Sequence, residues 1–186
     1  PGYEEPARGD FKETACEIVF NTSMTGYVEI LTDPSYAGQG VVMTYPMIGN
    51  YGISREDFES ERLQPSAFIV HELSSDPSNF RCTDTIENLL KEYNIPCISG
   101  VDTRTVVKKL RESGTMRGVL TSDIGDRERL MDVIKSFRQI DLVGSVTAKQ
   151  TKVYGEENTG AEIALMDFGT KRNIINNLVK RNCIVT

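Results

Sequence analysis

Four cysteines and one histidine carry most of the reactive chemistry in this chain. Cys16, Cys82, Cys97 and Cys183 never approach CxxC spacing, and His71 stands alone. A tetrahedral zinc site draws on closely spaced Cys/His ligand pairs, so this pattern argues against a metal centre. A thiol–imidazole nucleophile pair would have to use His71, which ends the apolar run Ala67-Phe68-Ile69-Val70. That position favours a structural histidine over a general base. The four thiols could pair by count. With no secretory segment and apolar neighbours, reduced and buried thiols are expected. The hydroxyl of Ser35, in Asp33-Pro34-Ser35-Tyr36, is a different kind of group, able both to donate and to accept a hydrogen bond. By its residues alone, a serine after proline reads first as a turn residue.

Three short motifs carry nothing further. Asp167-Phe168-Gly169 spells the metal-binding triplet of protein kinases, but no His-Arg-Asp loop or glycine-rich loop precedes it. Asn21-Thr22-Ser23 fits a glycosylation acceptor without any sign of secretion, and Arg8-Gly9-Asp10 recurs by chance.

The elements that must position these groups alternate between strands and helices. Apolar runs at Cys16–Phe20, Val41–Tyr45, Ala67–His71, Cys97–Ser99 and Arg117–Thr121 predict strands. Ile86, Leu89, Leu90 and Tyr93 follow helical spacing, with Asp84 or Thr85 as cap and Pro96 beyond the end. Val106, Val107 and Leu110 form a second stripe, started by Asp102 or Thr103 and stopped at Gly114. Leu130, Val133, Ile134 and Phe137 form a third after Asp126. Several strands precede the first helix, so a mixed sheet is expected. Residues 149–161 are polar and aperiodic and read as a linker. After them, Glu162–Phe168 predicts a strand, Ile174, Ile175, Leu178 and Val179 a helix face, and Cys183–Val185 another strand.

Composition bounds the class. The 186 residues suffice for one domain and part of a second. With 39% hydrophobic residues the chain can bury a core, which excludes a disordered tail. No apolar stretch approaches the roughly 18 residues of a membrane helix, and the first residues form no signal peptide. The net charge is -6 with scattered Lys and Arg, which argues against nucleic acid.

The most specific feature is the order of residues from Cys16 to Gly52. FNTSMTGYVEILTDPSYAGQ and TYPMIGNYG join two apolar runs of strand length through a polar, aromatic, Gly/Pro-rich loop, where binding residues tend to sit. Both stretches resemble the N-terminal domain of the glutamine-hydrolysing carbamoyl-phosphate synthase small-chain family. GVDTRTVVKKLRESGTMRGVLTS, at 100–122, is similar to the same family's capped helix and Met-Arg-Gly strand. There, packing explains Asp102 as a cap and Arg104 as a solvated face. ALMDFGTKRNIINNLVKRNCIVT, at 164–186, resembles the opening of a class I glutamine amidotransferase domain. The family usually begins with a strand and a Glu-Asp-Gly turn, where this chain has PGYEEPARGDFKET.

The resemblance implies an α/β fold: a swivelling β/β/α domain with a mixed sheet over residues 1–148, a linker at 149–161, and the truncated first βα unit of a flavodoxin-like amidotransferase domain at 162–186. One strand and one helix cannot cover a parallel sheet on both faces, so the chain reads as part of a longer one. It implies a glutaminase subunit, cytoplasmic, serving arginine and pyrimidine biosynthesis. That subunit supplies ammonia to a large chain, which holds the ATP and magnesium; no cofactor is expected here. The expected partners are that large chain and L-glutamine, in a hetero-oligomer. The family's catalytic cysteine, histidine and glutamate match no position in this chain, so it is expected to be inactive alone, and Cys183 is not the nucleophile. Ser35 matches the family's glutamine-contacting serine. Two alternatives stand beside this reading: a non-catalytic docking module of an ammonia-using synthase, and a carrier using His71 as phosphoryl acceptor, which would need that histidine exposed on a loop.

Overall fold

The structure, a computed structural model, describes residues 13–138 and 141–186. In chain order its strands are β1 (Thr14–Asn21), β2 (Gln39–Met43), β3 (Met47–Ile48), β4 (Ala67–Ile69), β5 (Glu72–Leu73), β6 (Cys97–Ile98), β7 (Met116–Leu120), β8 (Glu162–Ile163) and β9 (Ile184–Val185). Its helices are α1 (Tyr27–Thr32), α2 (Ile86–Glu92), α3 (Thr103–Ser113), α4 (Arg127–Ser136), α5 (Leu142–Val146) and α6 (Arg172–Val179).

Five strands form the main sheet in the order β6-β4-β2-β1-β7. β1, β2, β4 and β6 run parallel, and β7 joins β1 antiparallel, so the sheet is mixed as expected. Both faces of this sheet are covered, which explains its nearly continuous apolar strands. Val41, Met43, Phe68 and Val70 point to one face, against Tyr27, Leu31, Ile86 and Leu89. Val42, Ala67 and Ile69 point to the other, against Val107, Leu110 and Leu120. Successive residues of β2 and β4 thus serve opposite cores, as the two-residue period of a strand requires. β3 and β5 form a small parallel pair, and β8 pairs parallel with β9 across α6.

The four anticipated helices are present as α2, α3, α4 and α6, and local hydrogen bonds settle the caps of the first three. Thr85 Oγ1 accepts from the Asn88 amide, Asp102 Oδ1 from Thr105, and Asp126 Oδ1 from Arg129. Gly114 ends α3 with φ at 79°, a backbone region that disfavours a side chain.

Several expectations need correction. Within the stretch expected to be loop, Val28, Ile30 and Leu31 form the buried face of a helix, α1. Six residues give too few turns for a helical stripe to show, and Gly26 before them offers no side-chain cap. α5 also went unanticipated; Asp141 caps it. β2 begins at Gln39 and ends at Met43, short of Tyr45. β8 stops at Ile163 rather than Phe168, and Cys183 precedes β9 instead of starting it. The 149–161 stretch is not wholly free of pairing, because Tyr154 bridges Val185 by two backbone hydrogen bonds of 2.8 and 3.0 Å. A single bridged residue leaves no period to read. Only Cys16 and Cys97 are buried thiols; Cys82 and Cys183 are partly exposed. The departure from the usual family start falls mainly on residues 1–12, which lie outside the described residues, and β1 opens at Thr14.

Candidate functional site

Ser35 sits on a single 3-10 turn, Pro34–Tyr36, directly after α1. Proline fixes the first position of that turn, and Asp33 Oδ1 accepts the Ser35 amide at 2.9 Å. The turn rests on a buried base. Thr32 is fully buried; its hydroxyl donates to the Val28 carbonyl and accepts the Glu59 amide, both at 2.9 Å. Ser60 Oγ donates to the Thr32 carbonyl at 2.6 Å, and the Gln64 amide donates to the Leu31 carbonyl. Tyr36 accepts from Asn21 Nδ2 at 3.0 Å, tying the turn to the end of β1. Ser35 itself is exposed, and its hydroxyl makes no hydrogen bond among the described residues. A rigid backbone therefore presents an unengaged hydroxyl to solvent.

α1 is held from its start by a tyrosine pair. Tyr27 and Tyr51 stack with ring centroids 4.2 Å apart. The Tyr51 hydroxyl accepts the amides of Gly26 and Tyr27, two of the donors that a helix N-terminus leaves unpaired. The Tyr27 hydroxyl accepts the Tyr51 amide and donates to the Gly52 carbonyl. Burial raises both phenols above their ordinary range.

Beside this turn the main body meets the C-terminal β8–α6–β9 unit. A cleft of about 1040 Å³ lies between them, lined among others by Pro34, Glu59, Arg62, Lys152, Phe168 and Asn176. Ser35 adjoins the lining residue Pro34 without being part of the wall. The two bodies are tied at residues 171–173. Lys171 Nζ lies 2.7 Å from Asp33 Oδ2, the Arg172 amide donates to the Glu59 carbonyl at 2.8 Å, and the Asn173 amide donates to Glu59 Oε2 at 2.9 Å. The hydrogen bond to Asp33 raises the Lys171 amine above its usual value. Further along, Lys152 pairs with Glu61, and Arg62 donates to the Ser145 carbonyl. Asp167 Oδ1 accepts the amides of Gly169 and Thr170, so this Asp-Phe-Gly segment is a capped turn.

The remaining candidates stay apart from the cleft. His71 lies beyond β4, exposed, with Nδ1 3.0 Å from the Val101 carbonyl. The ring is exposed and has a fixed backbone partner in the Val101 carbonyl. Burial pushes the Cys16 thiol up to about 11 and the Cys97 thiol up to about 12, so neither is a nucleophile near neutral pH. Among the described residues, no cluster of three or more His, Cys, Asp or Glu side chains is placed to hold a metal ion. No helix among them is long and apolar enough to cross a membrane. Glu59 and Lys171 were not singled out from the sequence. The only sequence signal is indirect: Lys171, just before the helical residues, cannot accept an amide hydrogen bond.

Comparison with known proteins gives the context for this geometry. Residues 3–120 match the family described as carbamoyl-phosphate synthase small chain, CPSase domain. A carbamoyl phosphate synthase small chain from Clostridium perfringens is 46% identical over 185 residues, covering 99% of this chain and 52% of that protein. The Archaeoglobus fulgidus small chain is 47% identical over 175 residues, covering 91% and 48%. One from Listeria monocytogenes is 43% identical over 181 residues, covering 97% and 49%. The chain thus spans about half the length of these curated relatives.

Proposed function

This chain belongs to the carbamoyl-phosphate synthase small-chain family, and on that premise we propose that it completes the glutamine site of a glutaminase subunit. The subunit hydrolyses glutamine and passes ammonia to a large chain, which makes carbamoyl phosphate at the expense of ATP. Residues 1–148 form the N-terminal swivelling β/β/α domain, 149–161 the linker, and 162–186 the opening of a flavodoxin-like amidotransferase domain. Those 1–148 residues also contribute to association with the large chain. Catalysis by cysteine, histidine and glutamate belongs to the amidotransferase domain, and ATP and magnesium to the large chain.

The observation that carries this reading is the unengaged Ser35 hydroxyl on a braced turn beside the cleft between the two bodies. A hydroxyl there can donate to the α-carboxylate of glutamine or accept from its ammonium. The Pro34 ring and the Asp33 carboxylate keep the turn from moving, so little ordering is needed when the ligand arrives.

The test uses the complete small chain with its large chain. Ser35→Ala removes one hydrogen bond to bound glutamine and raises the glutamine KM by a few-fold to about a hundredfold. Synthesis driven by added ammonia, which bypasses the site, stays unchanged. Equal slowing of both would assign Ser35 a purely structural role. A wild-type complex that uses ammonia but not glutamine would favour an ammonia-using synthase instead.

A further inference from the structure

Helix α6 starts without a cap of its own. Its N-cap residue is Lys171, whose side chain makes no capping hydrogen bond. An ammonium has no lone pair to offer an amide, and the first turn of a helix leaves its amides unpaired. The missing acceptors come from elsewhere in the chain, at a single residue. The Glu59 carbonyl takes the Arg172 amide, and Glu59 Oε2 takes the Asn173 amide, 114 residues away in sequence. A carboxylate also suits the positive end of a helix dipole.

Glu59 is in turn anchored to the turn that carries Ser35. Its amide donates to the hydroxyl of buried Thr32, and Ser60 next to it donates to the Thr32 carbonyl. Thr32 precedes Asp33, whose carboxylate holds both the Ser35 amide and Lys171. The chain of contacts therefore runs from the Ser35 turn through Thr32 and Glu59 into the first turn of α6. Domains of one chain move relative to one another by default unless their interface is large and hydrophobic.

We propose that Glu59 is a positioning residue: it caps α6 across the cleft and so sets the distance between Ser35 and the amidotransferase domain. The proposal rests on the glutaminase reading for its functional consequence, though the cap itself can be tested without it. Glu59 need not touch the ligand. It acts by holding the two walls of the cleft in register.

The experiment uses the complete small chain with its large chain and compares Glu59→Ala with Glu59→Gln. Glutamine keeps an acceptor oxygen at that place, whereas alanine keeps none. Two readouts are taken: hydrogen exchange at the Asn173 amide, and the kinetics with glutamine or ammonia. Glu59→Ala is expected to speed Asn173 exchange by about tenfold or more, the scale of a lost helix cap. It is also expected to raise the glutamine KM about tenfold while kcat and the ammonia-driven rate hold. Glu59→Gln is expected to stay within about threefold of wild type on both readouts. Unchanged exchange in Glu59→Ala would refute the cap. Faster exchange with an unchanged glutamine KM would refute the positioning role. A wild type that ignores glutamine would overturn the glutaminase reading and with it the positioning role, while the exchange measurement would still decide the cap.

Discussion

The Lys171 ammonium lies 2.7 Å from the Asp33 carboxylate, joining the turn after α1 to the residue that starts α6. Asp33 is almost enclosed, with 8% of its side chain exposed, and also accepts the Ser35 amide. Lys171 keeps 45% of its side chain in solvent, so the pair is half buried and water weakens it. A double-mutant cycle with Asp33→Asn and Lys171→Met should give a coupling of about 1 kcal/mol in urea unfolding, below that of a fully buried pair. The Lys171 amine is raised from 10.5, so the coupling should persist below about pH 10.5 and fade as pH rises through the higher folded value. Zero coupling at pH 7 would leave the contact without energetic weight.

Tyr51→Phe keeps the stacked ring and removes the acceptor for the Gly26 and Tyr27 amides. Two amides in a partly buried place then lose their partner, at about 1–3 kcal/mol. A fall of that size in unfolding free energy is expected. A change under about 0.5 kcal/mol would mean that water replaces the hydroxyl.

Thiol labelling should divide the cysteines by burial. In the native state at pH 8, iodoacetamide followed by peptide mapping should find Cys82 and Cys183 alkylated and Cys16 and Cys97 protected. The Cys97 thiol stays protonated to about pH 12 when folded, against 9.0 otherwise, so unfolding releases its proton between those values. Its share of the stability therefore declines across that alkaline window. Prompt native labelling of Cys97 would contradict the packing around it.

The 186-residue chain assayed alone should release no ammonia from glutamine. Its two buried thiols are held protonated, and its single histidine lies beyond β4 with its ring against the Val101 carbonyl. Glutaminase activity that Cys183→Ala abolishes would make that thiol a nucleophile after all.

Features whose physics is local were legible in the residues. Thr85, Asp102 and Asp126 cap helices through amides three residues ahead, so residue type and spacing placed each start to within one residue, and the hydrogen bonds chose Thr85 over Asp84 and Asp102 over Thr103. Continuous apolar runs likewise marked β2 and β4, which are buried on both faces of the sheet, and the two long motifs around Ser35 carried the family. Tertiary structure alone decided the rest. α1 is too short to show a stripe, and a Tyr51 hydroxyl distant in sequence caps its start. The partners of Asp33 and Asn173 are Lys171 and Glu59, brought together by how the two bodies pack. A sequence specifies which groups can donate or accept. Which donor meets which acceptor across a hundred residues depends on how the β8–α6–β9 unit meets the main body, because only that meeting brings residues 171–173 within reach of Asp33 and Glu59.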